Sequence, residues 1–271
     1  MIPVFDQREA VAAVAKLAAV SVLISSAEYL VRPRHLRDDG LMSWTVANVR
    51  EQWLVTSPIG SVLQIALSYP RVLGMIVVRA MLGLTVVLGP ASLTANPVVL
   101  GLLALTTMLL MLRNIYGQDG ADHMLTIVYV SLTLGALVAT PTARTACIWF
   151  IALQGCLSYA TAGIAKATAL HWRDGTYLVR IMGTQCYGHP MVCDYLSLRP
   201  QLARWFARLI IVWESAFPVV LLLPSDVAVG MLIIGALFHL SNAFVMGLNT
   251  FFWSFVSTYP AILYCVQTRP W

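Results

Sequence analysis

The sequence predicts an all-α fold: a polytopic transmembrane helical bundle of about seven to eight helices with two long, partly interfacial loops. Composition is the first reason, because 59% of the 271 residues are apolar and 11% are charged, whereas a soluble domain carries about 25% charged residues. The second reason is that the apolar residues form continuous runs of near-spanning length, unlike the alternation of a membrane β-barrel. We therefore expect residues 1–271 to form a single transmembrane domain.

Apolar runs place the helices along the chain, and prolines mark most of the boundaries between them. The predicted spans are about 10–32, 70–90, 97–113, 122–140, 144–169, 203–223, 226–248 and 250–266. The first run contains Glu28 and is too long for the apolar core of a signal peptide, so we expect it to be retained. The last run is short, which leaves seven helices as the alternative to eight.

The basic residues predict the orientation of the bundle. With eight helices, one face carries both long loops, at about 33–69 and 170–202, and most of the arginines. The opposite face has only Arg8, Arg144 and Arg269. The positive-inside rule then places the long loops in the cytoplasm and explains the net charge of +5. The bilayer is therefore the expected partner, and nucleic acid is not.

Six polar residues interrupt the apolar runs, where polar groups are expensive and usually pair inside the bundle. They are Glu28, Arg79, Lys166, Glu214, His239 and Asn242. We expect a structural ion pair between Glu28 and Arg79. His239 and Asn242 share a helix face with Met246 and predict either a cavity lining or hydrogen bonds between helices.

Lys166 is the most informative of these residues. It ends the segment Tyr159-x3-Gly163-x2-Lys166, which closes a long apolar run. An ammonium group in the bilayer centre costs roughly 2.5–3.5 kcal/mol, and lysine is the cation that desolvation most readily converts into a neutral base. We predict that Lys166 is a catalytic base with Tyr159 near its amine; a lysine that merely extends towards the interface is the alternative.

Two polar segments outside the apolar runs are further candidate sites. The segment 114–123 lacks the ligand pattern of a calcium loop, and Asp119 and Asp122 are expected to cap the following helix. Cys186, His189 and Cys193 offer three soft ligands without a fourth, and no nucleotide-binding motif is present, so no metal or nucleotide is predicted. Reduced cytoplasmic thiols disfavour a Cys186–Cys193 disulfide, while a reactive pair and two idle thiols stay open.

The order of these segments resembles the HTTM domain, the membrane module shared with vitamin K-dependent gamma-carboxylases. The resemblance covers nearly the whole chain. It rests on Tyr159-x3-Gly163-x2-Lys166 followed by Trp172-Arg-Asp-Gly175, with support from 38–41, 113–122, Glu214-x2-Phe217-Pro218 and His239-x6-Met246. In the carboxylases the matching lysine is the base linked to vitamin K oxygenation, so the resemblance implies a catalytic Lys166.

The chain departs from the carboxylases at two points. Asp122 or His123 stands where their helix-four histidine is found, and there is no room for the large extramembrane domain that binds the propeptide. The resemblance is closer to short bacterial members that mature secreted or ribosomally made peptides. It therefore implies a protein of the bacterial cytoplasmic membrane that acts on a peptide, with a partner membrane subunit as a further expectation.

The leading hypothesis is an integral membrane enzyme that removes a carbon-bound proton from a peptide, most simply to epimerise an α-carbon without a cofactor. The catalytic candidates are Lys166, Tyr159, Asp122, Cys186 and His239. The substrate-binding candidates are Trp172, Arg173, Asn242, Glu214 and His189. One alternative is a carboxylase-like enzyme that uses reduced vitamin K or another quinone. The other is a non-enzymatic maturation or immunity protein that binds a toxin peptide, in which Lys166 is an anchor or an ion-pair partner.

Overall fold

The structure is a computed structural model that describes residues 5–50, 52, 56–114 and 120–269. Its regular elements within these ranges are all helical. In chain order they are α1 (Gln7–Val31), α2 (Trp44–Arg50), α3 (Gly60–Leu67), α4 (Arg71–Leu88), α5 (Pro97–Arg113), α6 (Ala121–Val138), α7 (Pro141–Thr168), α8 (Leu170–Arg173), α9 (Thr176–Met182), α10 (Pro190–Ser197), α11 (Pro200–Ala216), α12 (Ser225–Met246), α13 (Asn249–Val256) and α14 (Tyr259–Thr268). Short 3₁₀ segments cover Pro33–Leu36, Leu93–Ala95 and Phe217–Leu222.

Six helices of the described residues are long and apolar enough to cross a membrane: α1, α4, α6, α7, α11 with its 3₁₀ extension, and α12. Helix α5 is apolar but shorter. The surface agrees with lipid contact, because large apolar side chains such as Leu209, Val212 and Phe244 are exposed on the outer helices. The prediction of an all-α membrane protein is confirmed at this level.

The last predicted span is two helices, α13 and α14, separated by a break at Ser257 and Thr258. Both residues are fully buried, and their hydroxyl groups donate to the carbonyls of Ser254 (2.6 Å) and Phe255 (2.7 Å). These bonds satisfy polar groups that lipid cannot. Helix α14 is buried at Tyr259 and over 261–266, and it packs against α1, α7 and α12. Helix α14 therefore lies in the centre of the bundle, surrounded by longer helices.

The two long loops contain short helices. In the second loop, residues Thr176–Met182 form helix α9. Helices α9 and α10 pack on the start of α11 through Met182, Leu196 and Ala203. Together they form a folded cap on one end of the bundle, next to the C-terminal end of α7.

The predicted pair between Glu28 and Arg79 is wrong. Arg79 is 1% exposed and donates instead to the hydroxyl groups of Ser25 (2.7 Å) and Ser26 (3.0 Å). Ser25 and Ser26 belong to the buried face of α1, whereas Glu28 lies on its exposed face and interacts with Asn249. Helical phase separates the two side chains, although both lie at similar depth.

Candidate functional site

The candidate site is built where α7 crosses α11. Gly163 makes the crossing close: a Cβ atom there would lie 2.4 Å from the backbone nitrogen of Ser215. No side chain fits in that space, so only glycine permits this approach. Lys166 lies about one turn further along α7, and the crossing brings it against Glu214 of α11.

Lys166 and Glu214 form an ion pair with 2.6 Å between Nζ and Oε2. Their side chains are 20% and 9% exposed, so most of the pair is removed from solvent. The indole ring of Trp172 covers the amine, with its centroid 5.3 Å from Nζ. The sequence predicts Lys166 as a catalytic base, and Glu214 and Trp172 as separate substrate contacts. The structure brings all three into one cluster.

The turn after α7 positions Trp172. Gly175 has a φ of +84° and packs so closely on α11 that a Cβ atom would lie 2.6 Å from the backbone nitrogen of Arg204. Asp174 accepts a hydrogen bond of 2.9 Å from the Thr176 backbone N–H at the start of α9. Hydrogen bonds from Thr176, with a smaller contribution from His171, hold the pKa of Asp174 below its usual value. The 172–175 turn is thus docked on α11, which keeps Trp172 above the amine.

The ion pair has a simple chemical capacity. A strong hydrogen bond of 2.6 Å joins a proton donor and a carboxylate in surroundings of low polarity. Transfer of the proton to Glu214 converts the pair into a neutral amine beside a carboxylic acid. That form has a base and an acid side by side, which is what a carbon-acid reaction requires.

A second cluster lies in the core below this pair. The Tyr159 hydroxyl is 2.6 Å from His239 Nε2 and 2.6 Å from the Tyr259 hydroxyl. Gly235 leaves room for them, because a Cβ atom there would lie 2.6 Å from the Tyr259 hydroxyl. His239 Nδ1 is buried and has no hydrogen-bond partner among the described residues. His239 is 2% exposed, and the stripe it begins on α12 ends with the helix at Met246.

No hydrogen bond joins the two clusters in the described part of the chain. Lys166 lies seven positions after Tyr159 on α7, which is about 10 Å along the axis. The Lys166 amine donates to Glu214 and, at 3.5 Å, to the Ala162 carbonyl. The expectation that Tyr159 hydrogen-bonds near the amine is therefore wrong. Phe217 stacks on Tyr159 with ring centroids 3.7 Å apart and lies one turn beyond Glu214 in the chain.

Asp122 lies elsewhere, in the first turn of α6, where Arg79 and Tyr29 are its electrostatic partners. It does not cap that helix, because Gly120 occupies the N-cap position with φ +91° and no side-chain hydrogen bond closes the first turn. The other predicted cap, Asp119, lies outside the described residues. Local sequence pointed to the right helix end but not to the residue that begins it.

The remaining predicted residues lie around the cap and on α12. Cys186 is exposed in the 183–189 turn, and Cys193 is a free thiol, so the two do not form a disulfide. His189 precedes α10, and its Nδ1 atom is buried without a partner in the described part of the chain. Arg173 is exposed, and Asn242 is half-buried about one turn beyond His239. The described residues contain no cluster of three or more His, Cys, Asp or Glu side chains suited to a metal ion.

Sequence reasoning missed Tyr259 and Phe217 as members of the buried cluster. Tyr259 lies in a nearly uniform apolar run next to Pro260, and nothing local distinguishes it from other core aromatics. The sequence indicated Phe217 only as a member of the segment Glu214-x2-Phe217-Pro218. Gly163 and Gly235 carried a usable signal, because a glycine inside a spanning helix often marks a close contact.

Comparison with known proteins adds no assignment. The chain matches no protein-family model, no protein of curated function and no solved structure. The functional argument therefore depends on the residues and contacts described above.

Proposed function

We propose that this protein is an integral membrane enzyme, similar to the HTTM domain, that removes a carbon-bound proton from a peptide substrate. The observation that supports this proposal best is the shielded Lys166–Glu214 pair under Trp172. It lies beside the folded cap formed by the second long loop, where a peptide has access from the membrane surface. The bacterial cytoplasmic membrane and a cytoplasmic position for that cap are part of the same proposal.

In the proposed reaction, Glu214 first accepts the ammonium proton, and the neutral Lys166 amine then takes the α-proton of a peptide residue. The electron pair of the broken C–H bond moves into the adjacent carbonyl and gives an enolate. The exposed guanidinium of Arg173 stabilises its negative charge. Return of a proton to the opposite face of the α-carbon, from Cys186 or His189 of the cap, gives the epimer without any change in mass.

A purely structural pair is the competing explanation. Removal of one partner of a buried ion pair costs about 3–5 kcal/mol, so loss of activity in an alanine variant does not distinguish catalysis from misfolding. Lys166→Arg separates them, because arginine keeps the positive charge and the contact with Glu214 but does not give up its proton. Lys16, the other lysine of the chain, supplies the matched control Lys16→Arg.

The test is co-expression in heavy water with a candidate peptide from a neighbouring gene, followed by mass spectrometry and chiral analysis of the peptide hydrolysate. We expect wild type and Lys16→Arg to add deuterium at α-carbons and to produce D-residues, and Lys166→Arg to do neither while it unfolds at the wild-type temperature. A lysine-dependent gain of the mass of CO2 would instead favour the quinone-dependent alternative. An identical peptide in all three samples would refute the enzyme proposal and favour the immunity or maturation alternative.

A further inference from the structure

A cavity of about 380 Å³ lies at the opposite end of α7 from Lys166. It is formed by the start of α1, the 91–95 turn, the end of α6 and the start of α7. None of the residues that line it belongs to the candidate site described above. Because four helix ends and turns meet there, the cavity opens at the end of the bundle, at the depth of lipid headgroups if these helices cross the bilayer.

Two arginines are part of the lining of this cavity. Arg8 and Arg144 both line it, and the lining residues that the structure describes include no carboxylate. Within the described part of the chain, neither guanidinium has a hydrogen bond or an ion pair. The third basic residue of this face is different, because Arg269 donates to the carbonyls of Leu221 and Leu223. Two like charges that share a cavity without an anion repel each other, and a bound anion would relieve that repulsion.

The Gln7 side chain joins the two helix starts that carry these arginines. Gln7 Nε2 donates to the Pro141 carbonyl (2.8 Å) and to the Thr145 hydroxyl (2.7 Å), which joins the start of α1 to the start of α7. Arg8 and Arg144 are the chain neighbours of residues in this junction. The nearby acids Asp6 and Glu9 form no ion pair with either arginine, because they form the capping box of α1 and accept from each other's backbone N–H groups.

The rest of the lining is apolar or small. Val11, Leu132 and Ala136 form one wall, and Ser92 adds a hydroxyl at the turn. Gly135 allows α7 to approach, because a Cβ atom there would lie 3.3 Å from the sulfur of Cys147. A cavity lined by two arginines and by apolar side chains matches an anionic amphiphile, since guanidinium groups bind phosphate oxygens in pairs and the apolar side chains suit alkyl carbons.

We propose that this cavity binds the phosphate headgroup of an anionic phospholipid, with Arg8 and Arg144 on the phosphate and the apolar wall against the first carbons of the acyl chains. This site is independent of the proposed enzyme activity. Free inorganic phosphate offers the same oxygen atoms to the arginines, but it makes no use of the apolar wall.

The test is native mass spectrometry of the purified full chain, titrated with phosphatidylglycerol, phosphatidylcholine or inorganic phosphate. The variant Arg8→Gln/Arg144→Gln removes both charges, and Arg34→Gln/Arg71→Gln removes two exposed arginines near the other end of the bundle, so the two proteins have equal net charge. A third variant, Ala136→Trp, fills the cavity and keeps both arginines.

We expect wild type and Arg34→Gln/Arg71→Gln to retain phosphatidylglycerol in preference to phosphatidylcholine. Affinity should fall about thirtyfold in Arg8→Gln/Arg144→Gln, the effect of two cations at an anionic surface, and it should also fall in Ala136→Trp. Equal retention by all variants, or retention of phosphatidylcholine as strong as that of phosphatidylglycerol, would overturn the proposal. So would arginine-dependent binding of inorganic phosphate that persists in Ala136→Trp while phosphatidylglycerol is not bound, which identifies free phosphate as the ligand.

Discussion

At the scale of single residues, glycines decide which functional groups can meet. Gly163 allows α7 to reach the backbone of α11, and Gly235 makes room for the hydroxyl groups of Tyr159 and Tyr259. In both places the nearest atoms belong to backbone or to buried rings, which cannot move aside easily. The positions of Lys166 and of the two tyrosine hydroxyl groups therefore depend on glycines in the neighbouring helix turns.

Replacement of Gly163 tests this dependence directly. Gly163→Ala places a Cβ atom 2.4 Å from a backbone nitrogen, and we expect it to lower the free energy of unfolding by about 1–3 kcal/mol because the helices must separate. The matched control is Gly230→Ala on α12, where a Cβ atom meets nothing within 4 Å. Thermal unfolding in detergent measures both. A Gly163→Ala protein as stable as Gly230→Ala would contradict the close crossing.

The buried hydroxyl cluster gives a second residue-scale prediction. Tyr259→Phe removes the 2.6 Å hydrogen bond to Tyr159, and we expect a loss of about 0.5–1.5 kcal/mol in the free energy of unfolding. Tyr264→Phe serves as the control, because Tyr264 lies on the same helix, is 8% exposed and makes no side-chain hydrogen bond in the described residues. If both variants lose the same stability, the Tyr159–Tyr259 bond contributes nothing measurable.

At the scale of elements, the α7–α11 crossing links the membrane bundle to the cap. The same pair of helices holds the Lys166–Glu214 pair and, through Gly175, the turn that places Trp172. Pro218 changes α11 into a 3₁₀ segment, and the Glu214 carbonyl accepts from the Phe217 N–H at this transition. The break therefore occurs directly after the residue that partners Lys166.

A double-mutant cycle measures how far the two charges stabilise this crossing. Lys166→Met and Glu214→Met each leave one group without its partner, and we expect each to lower the free energy of unfolding by about 3–5 kcal/mol. The double variant Lys166→Met/Glu214→Met removes both charges and should recover most of that loss. Chemical unfolding in mixed micelles gives the three values. Additive losses in the double variant would show that the ion pair does not couple the helices.

At the scale of the whole molecule, the two ends of the bundle differ in their loops and in their basic residues. The two long loops and most arginines belong to one end of the bundle, and Arg8, Arg144 and Arg269 to the other. The proposed reaction and the proposed lipid site consequently lie at opposite ends of α7. Any substrate of the first site and any lipid at the second approach from different membrane surfaces if the bundle spans the bilayer.

Cysteine labelling tests the orientation. Cys186 is the exposed cysteine of the five, and it lies in the cap. If the long loops are cytoplasmic, a membrane-impermeant maleimide should label wild type in inside-out vesicles and not in intact cells. Cys186→Ser is the control for reaction at the half-buried thiols, and a permeant maleimide confirms that Cys186 is reactive. Labelling of wild type but not Cys186→Ser in intact cells would reverse the proposed topology.

The amino-acid sequence alone determined the class of the protein and the positions of most long helices, because spanning length and uninterrupted apolar composition are local properties. The predicted run at 97–113 coincides with α5, and the run at 144–169 lies within one residue of the end of α7. It also singled out Lys166, since a charge in an apolar run is costly wherever the helix packs.

Only the tertiary structure decided the partners. Glu214 pairs with Lys166, Ser25 and Ser26 replace Glu28 at Arg79, and Tyr259 joins Tyr159. Partner choice depends on helical phase and on how closely two helices approach, and both are set by contacts between segments far apart in the chain. For the same reason, the sequence did not reveal that the final apolar run breaks into two helices and occupies the centre of the bundle.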